Sequence, residues 1–310
     1  MNGVLVIDKP AGFTSFDVIA VVRRLTGQRK TGHTGTLDPN ATGVLPVLLG
    51  TATKAQDILP DHDKSYTAGF QLGLQTDTLD IWGKSLRQEL THVSEEVIAR
   101  ALERFRGDIM QVPPMVSAVK KDGRRLYELA RKGIEVERAA RPVHIDRLDL
   151  VCFDPVSQSG VLDIVCSRGT YVRVLIDDLG RELGACAAMN ALRRTAACSF
   201  TLDDSLTLDQ LGTLAGNGQT TQVIRPVESL FLTYPAVCVS EAQTKRFCNG
   251  GALDIARTKL CGQSVDDGTC FRVCDGTGRF LGLAKFEETS GILKLFKLFE
   301  RQQNCQKSNK

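Results

Sequence analysis

The chain has 310 residues, of which 42% are hydrophobic and 24% charged, and a formal net charge of +3. This composition is that of an ordinary soluble globular protein, and no apolar run approaches the ~20 residues that a membrane span needs. The length favours two domains, or one large domain with a small appendage. Asp8, Lys9 and Pro10 interrupt the N-terminus too early for a signal peptide, so we expect a cytoplasmic protein.

The cysteines indicate neither a disulfide framework nor a metal site. No two of the ten are spaced as CxxC, and all four histidines precede the first cysteine. We therefore expect reduced, mostly buried thiols and no bound metal.

Hydrophobic periodicity and capping residues predict a mixture of strands and helices over the first two thirds of the chain. Thr14 or Ser15 caps a helix that continues to Leu25, and Gly27 lies just past its end. Ser94 caps another helix, which Gly107 stops after Phe105. The remaining predictions are strands at 3–7, 44–49, 66–74, 116–120, 143–153 and 161–167, helices at 52–59, 126–132 and 172–183, and a turn at Asp122-Gly123.

The pattern changes towards the C-terminus. Residues 212–222 are rich in Gly, Thr, Gln and Asn, which indicates a linker or an exposed connection. Short apolar runs at 236–239, 270–274, 280–286 and 292–299 are typical of a small β-barrel. The prediction is an α+β protein with a mixed sheet, flanking helices and a C-terminal barrel. Its parts are a catalytic domain at 1–211, a connection at 212–233, a barrel domain at 234–300 and a polar tail at 301–310.

One carboxylate stands out in the loop between residues 32 and 46. Asp38 is surrounded by small and polar residues and followed by the apolar segment 44–49, and functional groups often lie on loops held by such rigid flanks. Pro39 biases Asp38 toward an extended backbone. The alternative is that Asp38 only initiates a turn and bonds its own backbone.

Basic residues cluster on both sides of this loop in sequence. Arg23, Arg24, Arg29 and Lys30 precede it, and a second group lies between Lys120 and Lys132. Both groups suit contacts with phosphates, the alternative being a solvated helix face.

Several separated segments together resemble the TruB family of bacterial tRNA pseudouridine synthases, which isomerise the uridine at position 55 in the T loop of tRNA. The match covers nearly the whole chain, and its ordered motifs are more specific than any one of them. The segments are Val4-Leu5-Val6-Ile7-Asp8-Lys9-Pro10 with Thr14-Ser15, residues 32–46, Lys64-Ser65-Tyr66 with Leu72-Gly73 and Thr76-Asp77-Thr78, Pro113-Pro114 with Ser117-Ala118, Gly133-Ile134-Glu135-Val136, and residues 166–173.

The resemblance implies a role for six residues. Asp38 would be the catalytic aspartate and Arg173 its ion-pair partner, which keeps the carboxylate ionised as a nucleophile. Tyr66 would stack on the target base, and the other residues expected to line the pocket are His33, Tyr171 and Leu192. Outside the family match the ordinary explanations are the commoner ones: strand residues for the tyrosines, a core residue for Leu192 and a pair with a surface acid for Arg173.

The implied reaction breaks the N1–C1′ bond of uridine and rejoins the ring through C5, so we expect no cofactor and no metal. Asp38 would attack C6 of uracil, attack C1′ of ribose, or assist a glycal route, and the sequence leaves all three open. Each route needs the base flipped out of its stack, at a cost of a few kcal/mol. We expect His33 to occupy the vacated space, so that His33→Ala weakens RNA binding or flipping.

The expected partner is the T arm of tRNA, with no membrane and no obligate protein partner. The C-terminal barrel resembles a PUA-like RNA-binding domain, the alternative being a stabilising appendage. A non-catalytic RNA-binding protein or RNA chaperone on the same fold is the competing function. A nucleotide-binding enzyme is disfavoured because the loop lacks a P-loop ending. Asn40 and Val116 depart from the family pattern, and the absence of a heptad repeat favours a monomer.

Overall fold

A computed structural model describes residues 1–121 and 123–300, and most of the predicted strands join one mixed sheet. The elements in chain order are β1 Gly3–Lys9, α1 Ser15–Thr26, β2 Thr31–His33, β3 Thr42–Leu49, β4 Lys64–Leu72, β5 Leu74–Thr76, β6 Ser85–Gln88, α2 Glu95–Leu102, β7 Gly107–Gln111, β8 Lys120–Lys121, β9 Arg124–Arg125, α3 Leu126–Ala130, β10 Arg141–Asp154, β11 Ser159–Cys166, α4 Val172–Glu182, β12 Ala187–Ala197, β13 Phe200–Thr201 and α5 Leu208–Gly216. The strands of the main sheet follow the order β1-β3-β12-β4-β11-β10-β7, with β2 attached to β3 and β13 attached to β12.

Two helices cover one face of this sheet. Side chains of α2 and α4 pack against alternate residues of β4 and β11, and Ile98, Phe70 and Ile176 are fully buried there. Burying such side chains contributes about 1.5–3 kcal/mol each. A second cluster forms where α1 and α5 pack on β1 and β3. The first cluster therefore stabilises the central strands and the second stabilises β1 and β3 at the sheet edge. The loop between β2 and β3 is thus anchored at a well-packed part of the sheet.

The C-terminal strands form a separate five-stranded sheet that curls as a half barrel. Aromatic side chains join it to the main sheet, because Phe231 lies 6.1 Å from Phe280 and 5.5 Å from Phe299 between ring centroids. The same cluster contains Val4 and Leu48 of the main sheet. The elements are β14 Ala236–Cys238, α6 Glu241–Cys248, β15 Leu253–Asp254, β16 Cys270–Cys274, β17 Phe280–Glu287 and β18 Ile292–Leu298.

The α+β fold and most long elements confirm the sequence predictions. Helix α1 is capped by Thr14 and ends at Gly27, which adopts the left-handed conformation at φ 66°. The strands expected at 3–7, 44–49, 143–153 and 161–167 and the helix at 172–183 are all present, within two residues at each end. The four C-terminal strands are present as well.

Three element predictions were wrong in extent or type. The helix expected at 52–59 is a 3₁₀ turn, Gly50–Ala55, which stops ahead of Pro60. The strand expected at 66–74 breaks at Gly73, whose φ of +80° and contact with the Glu89 carbonyl exclude a side chain. Residues 116–119 are not a strand, because Pro113 and Pro114 lack donors and the Val116 carbonyl accepts from Arg173. The connection expected at 212–222 is partly helical, since α5 extends to Gly216.

Strands β7 and β12 and helices α5 and α6 were not predicted. β12 is rich in alanine, which is depleted in strands, so its sequence gives no strand signal. Helices α5 and α6 carry readable capping boxes, Thr207 with Gln210 and Ser240 with Gln243. Asp122 of the expected turn and the polar tail at 301–310 lie outside the described residues. No helix of the described chain is long and apolar enough to span a membrane.

Candidate catalytic site

Asp38 and Arg173 form an ion pair at the start of α4. Arg173 Nη2 lies 3.5 Å from Asp38 Oδ2, and the two side chains are 4% and 43% exposed. Arg173 Nη2 also donates to the Val116 carbonyl at 2.6 Å. The Asp38 carbonyl accepts from the Ala41 amide at 3.1 Å, so the backbone of Asp38 does initiate a turn, as the alternative interpretation predicted. Among the described residues, the carboxylate bonds no backbone donor of that turn, so it is directed to Arg173 and solvent.

The segment before α1 holds the Asp38 loop in place. The buried Lys9 ammonium donates to the carbonyls of Pro10, Phe13 and Pro39 at 2.8, 2.5 and 2.9 Å. Ser15 Oγ accepts from the Leu37 amide at 2.9 Å and donates to the Leu37 carbonyl at 3.2 Å. Burial lowers the pKa of Lys9 to about 8, although the negative charge of Asp38 opposes the shift. These bonds fix the backbone on both sides of the carboxylate.

A buried amide positions the other half of the ion pair. The Gln111 side chain accepts from the Tyr171 amide at 2.8 Å and donates to the Tyr171 carbonyl at 3.1 Å. Tyr171 is the N-cap of α4, and the Arg173 guanidinium carbon lies 5.9 Å from the Tyr171 ring centroid. Gln111 therefore fixes the first turn of α4, from which Arg173 reaches Asp38.

Tyr66 lies on β4 directly opposite Arg194 of β12. Its ring is only 6% exposed and packs in the core cluster that also contains Leu37 and borders Leu192. Burial raises the pKa of the Tyr66 hydroxyl to about 12, against the opposing effect of the Arg194 charge. Asp38 is close enough to add to this rise in pKa. The structure thus brings Tyr66, Leu192, Asp38 and Arg173 to one region of the sheet.

His33 lies at the end of β2, where it begins the loop that carries Asp38. Burial and the Arg194 charge both lower the pKa of its imidazole, which favours the neutral ring at neutral pH. Its Nδ1 is buried and has no partner in the described chain. Phe16 of α1 meets the ring edge-on, with 5.9 Å between centroids and an interplanar angle of 82°.

Arg194 is the main site residue that the sequence reasoning missed. It is fully buried, and it donates to the Val44 carbonyl at 2.6 Å and to the Gly35 carbonyl at 3.1 Å. These carbonyls flank the Asp38 loop, so one side chain connects both ends of the loop to β12. Nothing in the sequence pointed to Arg194 because strand β12 was itself not predicted. Only the pairing of that strand places residue 194 beneath residues 35–44.

Replacing Arg194 with Met should lower the free energy of unfolding by about 2–4 kcal/mol. Two buried carbonyls lose hydrogen bonds from a charged donor, which are worth ~1.5–3 kcal/mol each, and the removal of one buried charge offsets part of that loss. Chemical denaturation of the two proteins measures the difference. Arg193→Met is the control, since Arg193 is partly exposed and pairs with Asp8 at the surface. An Arg194→Met protein as stable as the wild type would contradict this account of the loop.

A groove of about 540 Å³ opens beside the loop, on the sheet face that carries Thr67 and Gly69. Asn40, Thr42 and Leu192 line it, together with the half-exposed Trp82. The Asp38–Arg173 pair is not part of its lining, so the groove is separate from the ion pair.

The cysteines do not form a site in the described chain. Nine are free thiols, and no group of three His, Cys, Asp or Glu side chains there is arranged to hold a metal ion. Burial raises the pKa of the Cys166 thiol to about 11, which makes it unreactive.

Two family models match consecutive parts of the chain. The TruB family pseudouridylate synthase N-terminal domain matches residues 23–172, and the tRNA pseudouridylate synthase B C-terminal domain matches residues 173–232. Neither match extends to the half-barrel sheet.

Curated relatives cover more of the chain. A tRNA pseudouridine synthase B from Pseudomonas paraeruginosa is 42% identical over 94% of both chains. Another from Lactobacillus delbrueckii subsp. bulgaricus is 44% identical over 80% of this chain and 85% of that protein.

Solved structures show the same fold at lower identity. A chain of an H/ACA ribonucleoprotein bound to a substrate RNA containing 2′-deoxyuridine has a TM-score of 0.73 and 23% identity, over 97% of this chain and 86% of that one. A chain of an archaeal box H/ACA sRNP complex has the same TM-score and identity, with 87% of that chain covered.

Proposed function

The chain belongs to the TruB family of pseudouridylate synthases, and we propose on that premise that it isomerises the uridine at position 55 in the T loop of tRNA. It is a pseudouridine synthase, an isomerase, and its curated relatives are named tRNA pseudouridine synthase B. The observation that carries the proposal is the Asp38–Arg173 pair, in which a half-exposed carboxylate meets a buried guanidinium.

Asp38 serves as the catalytic carboxylate. A nucleophile or base must reach the nucleotide, and the 43% exposure of its side chain provides that access. The guanidinium of Arg173 always carries its charge, so it provides a permanent positive partner for the Asp38 carboxylate. The contact between Arg173 and the Val116 carbonyl keeps the guanidinium from turning away.

Tyr66 and the residues around it receive the flipped base. An aromatic face stabilises a stacked base by about 1–3 kcal/mol, which offsets part of the cost of flipping. Tyr66, Leu192 and the loop residue Leu37 belong to one apolar cluster next to Asp38. His33 and Tyr171 lie at the margins, one on the Asp38 loop and one at the N-terminus of α4.

The basic segment 112–140 contacts the phosphates of the RNA. Lys120, Lys121 and Arg124 are exposed on its two short strands, and Arg131 and Lys132 are exposed after α3. The segment reaches the ion pair through Val116, so RNA bound along it lies beside Asp38.

The test is to map pseudouridine in an unmodified tRNA transcript after incubation with the purified protein, without added metal or cofactor. We expect conversion of the T-loop uridine alone. A transcript with cytidine at that position is the matched control and should stay unmodified. Conversion at other positions only, or none by a folded protein that binds the transcript, would contradict the proposal.

The hydroxyl of Tyr66 should stay protonated far into the alkaline range, because burial raises its pKa to about 12. We therefore expect the ratio of single-turnover rates of the wild type and Tyr66→Phe to stay constant between pH 7 and 10. A ratio that falls above pH 9 would show that the hydroxyl ionises there and would contradict the assignment.

A further inference from the structure

An aromatic and basic surface continues from the Asp38 loop along helix α1. We define the α1 strip as Phe16, Arg23 and Arg24 of α1, with Arg29 and Lys30 of the loop that follows. Phe16 is 61% exposed although it is a large apolar side chain. Among the described residues its only aromatic contact is the T-shaped one with His33, and its 61% exposure leaves much of the ring open to another aromatic group.

The strip lies alongside β2, antiparallel to it, and its Phe16 end is the one nearest the catalytic loop. Phe16 meets His33, and seven residues later Arg23 Nε donates to Thr31 Oγ1 at 2.6 Å. Seven residues are about two helical turns, so both side chains lie on one face about 10 Å apart. This distance spans about three stacked nucleotides at ~3.4 Å each.

The charge of the strip is unbalanced. From Val18 to Leu37 the sequence contains four cations and no acidic residue. Asp17 is the nearest acid, and its carboxylate is occupied by the Thr14 amide and hydroxyl in the capping box. In the described part of the chain, Arg24, Arg29 and Lys30 form no ion pair.

We propose that the α1 strip binds the RNA strand that adjoins the flipped uridine, with Phe16 stacked on an unpaired base and the cations on successive phosphates. The inference rests on the proposed function, because it takes the RNA bound at Asp38 as the occupant. An exposed aromatic ring combined with a row of unpaired cations is how proteins hold single-stranded nucleic acid. A protein partner would match the apolar ring but not the run of four uncompensated cations.

The experiment measures the dissociation constant of a T-arm stem-loop RNA for Phe16→Ala, Phe16→Leu and Phe16→Trp. We expect binding roughly tenfold weaker for Ala and Leu, and near wild type for Trp, since stacking needs an aromatic face. Leu86→Ala is the control, because Leu86 is equally exposed, at 59%, on the separate β5–β6 hairpin.

The cations are tested by the salt dependence of the same binding. The variant is the double substitution Arg24→Gln with Lys30→Gln. In a plot of the logarithm of the association constant against the logarithm of the salt concentration, its negative slope should become less steep by about 0.7–0.9 for each lost phosphate contact. Phe16→Ala or Phe16→Leu binding at wild-type strength, an unchanged slope, or an equal loss with Leu86→Ala would overturn the proposal. Pseudouridine mapping with the wild type reports on the proposed function separately, so either idea can fail while the other stands.

Discussion

Replacing Asp38 with Asn is expected to lower the rate of pseudouridine formation by about 10⁴-fold or more, the range seen when a single catalytic side chain is removed. An amide is neither a nucleophile nor a base at neutral pH, while its shape matches that of the carboxylate. Single-turnover conversion of a tRNA transcript at saturating protein measures the effect.

The substitution should leave the fold and RNA binding nearly intact. Asp38 is half-exposed, and the loop is held by Lys9, Ser15 and Arg194 through backbone groups that the variant keeps. Asp57→Asn is the matched control, because Asp57 is exposed and forms no ion pair in the described chain. If Asp38→Asn kept more than a tenth of the wild-type rate, Asp38 would not be the catalytic carboxylate.

Arg173→Met should lower the same rate by about 10²–10³-fold, the usual cost of losing one fixed electrostatic partner in a catalytic site. The side chain is only 4% exposed and adjoins Asp38, the proposed catalytic carboxylate, so its loss should change the rate at saturation more than the affinity for RNA. Parallel measurements of the saturating rate and the dissociation constant separate these two effects.

Arg173→Lys provides the control for charge. An ammonium keeps the positive charge but cannot hold the Val116 carbonyl and Asp38 with one planar group, so partial rescue of the rate is expected. Thermal unfolding of both variants tests for misfolding. If Arg173→Met and Arg173→Lys had equal rates of pseudouridine formation and unchanged stability, the positive charge of Arg173 would not contribute to the action of Asp38.

Local signals in the sequence predicted the elements that carry strong periodicity or caps. Thr14, Asp17 and Gly27 define both ends of α1 by short-range hydrogen bonds and a left-handed residue, which need no tertiary partner. Lys9 and Ser15 belong to one segment of the family resemblance and Asp38 to another, and the structure joins the two segments through hydrogen bonds between residues 22 to 30 positions apart.

Elements whose stability comes from neighbours could not be predicted in the same way. The alanine-rich β12 is a strand because β3 and β4 supply hydrogen-bond partners on both sides. Its register places Arg194 opposite Tyr66 and beneath Gly35, and no local pattern contains that information.

The sequence by itself therefore determined the family and the α+β class, because motifs and periodicity are properties of the chain alone, and the resemblance to that family supplied the roles of the candidate residues Asp38, Tyr66 and Arg173. Only the tertiary structure decided that Gln111 and Arg194 hold the two halves of the site and that Phe16 stays exposed beside His33, and it gave the distance and burial of the Asp38–Arg173 pair that the resemblance implied. The physical reason is that ion pairs, buried hydrogen bonds and exposure depend on distances between segments far apart in sequence, which strand pairing and core packing set.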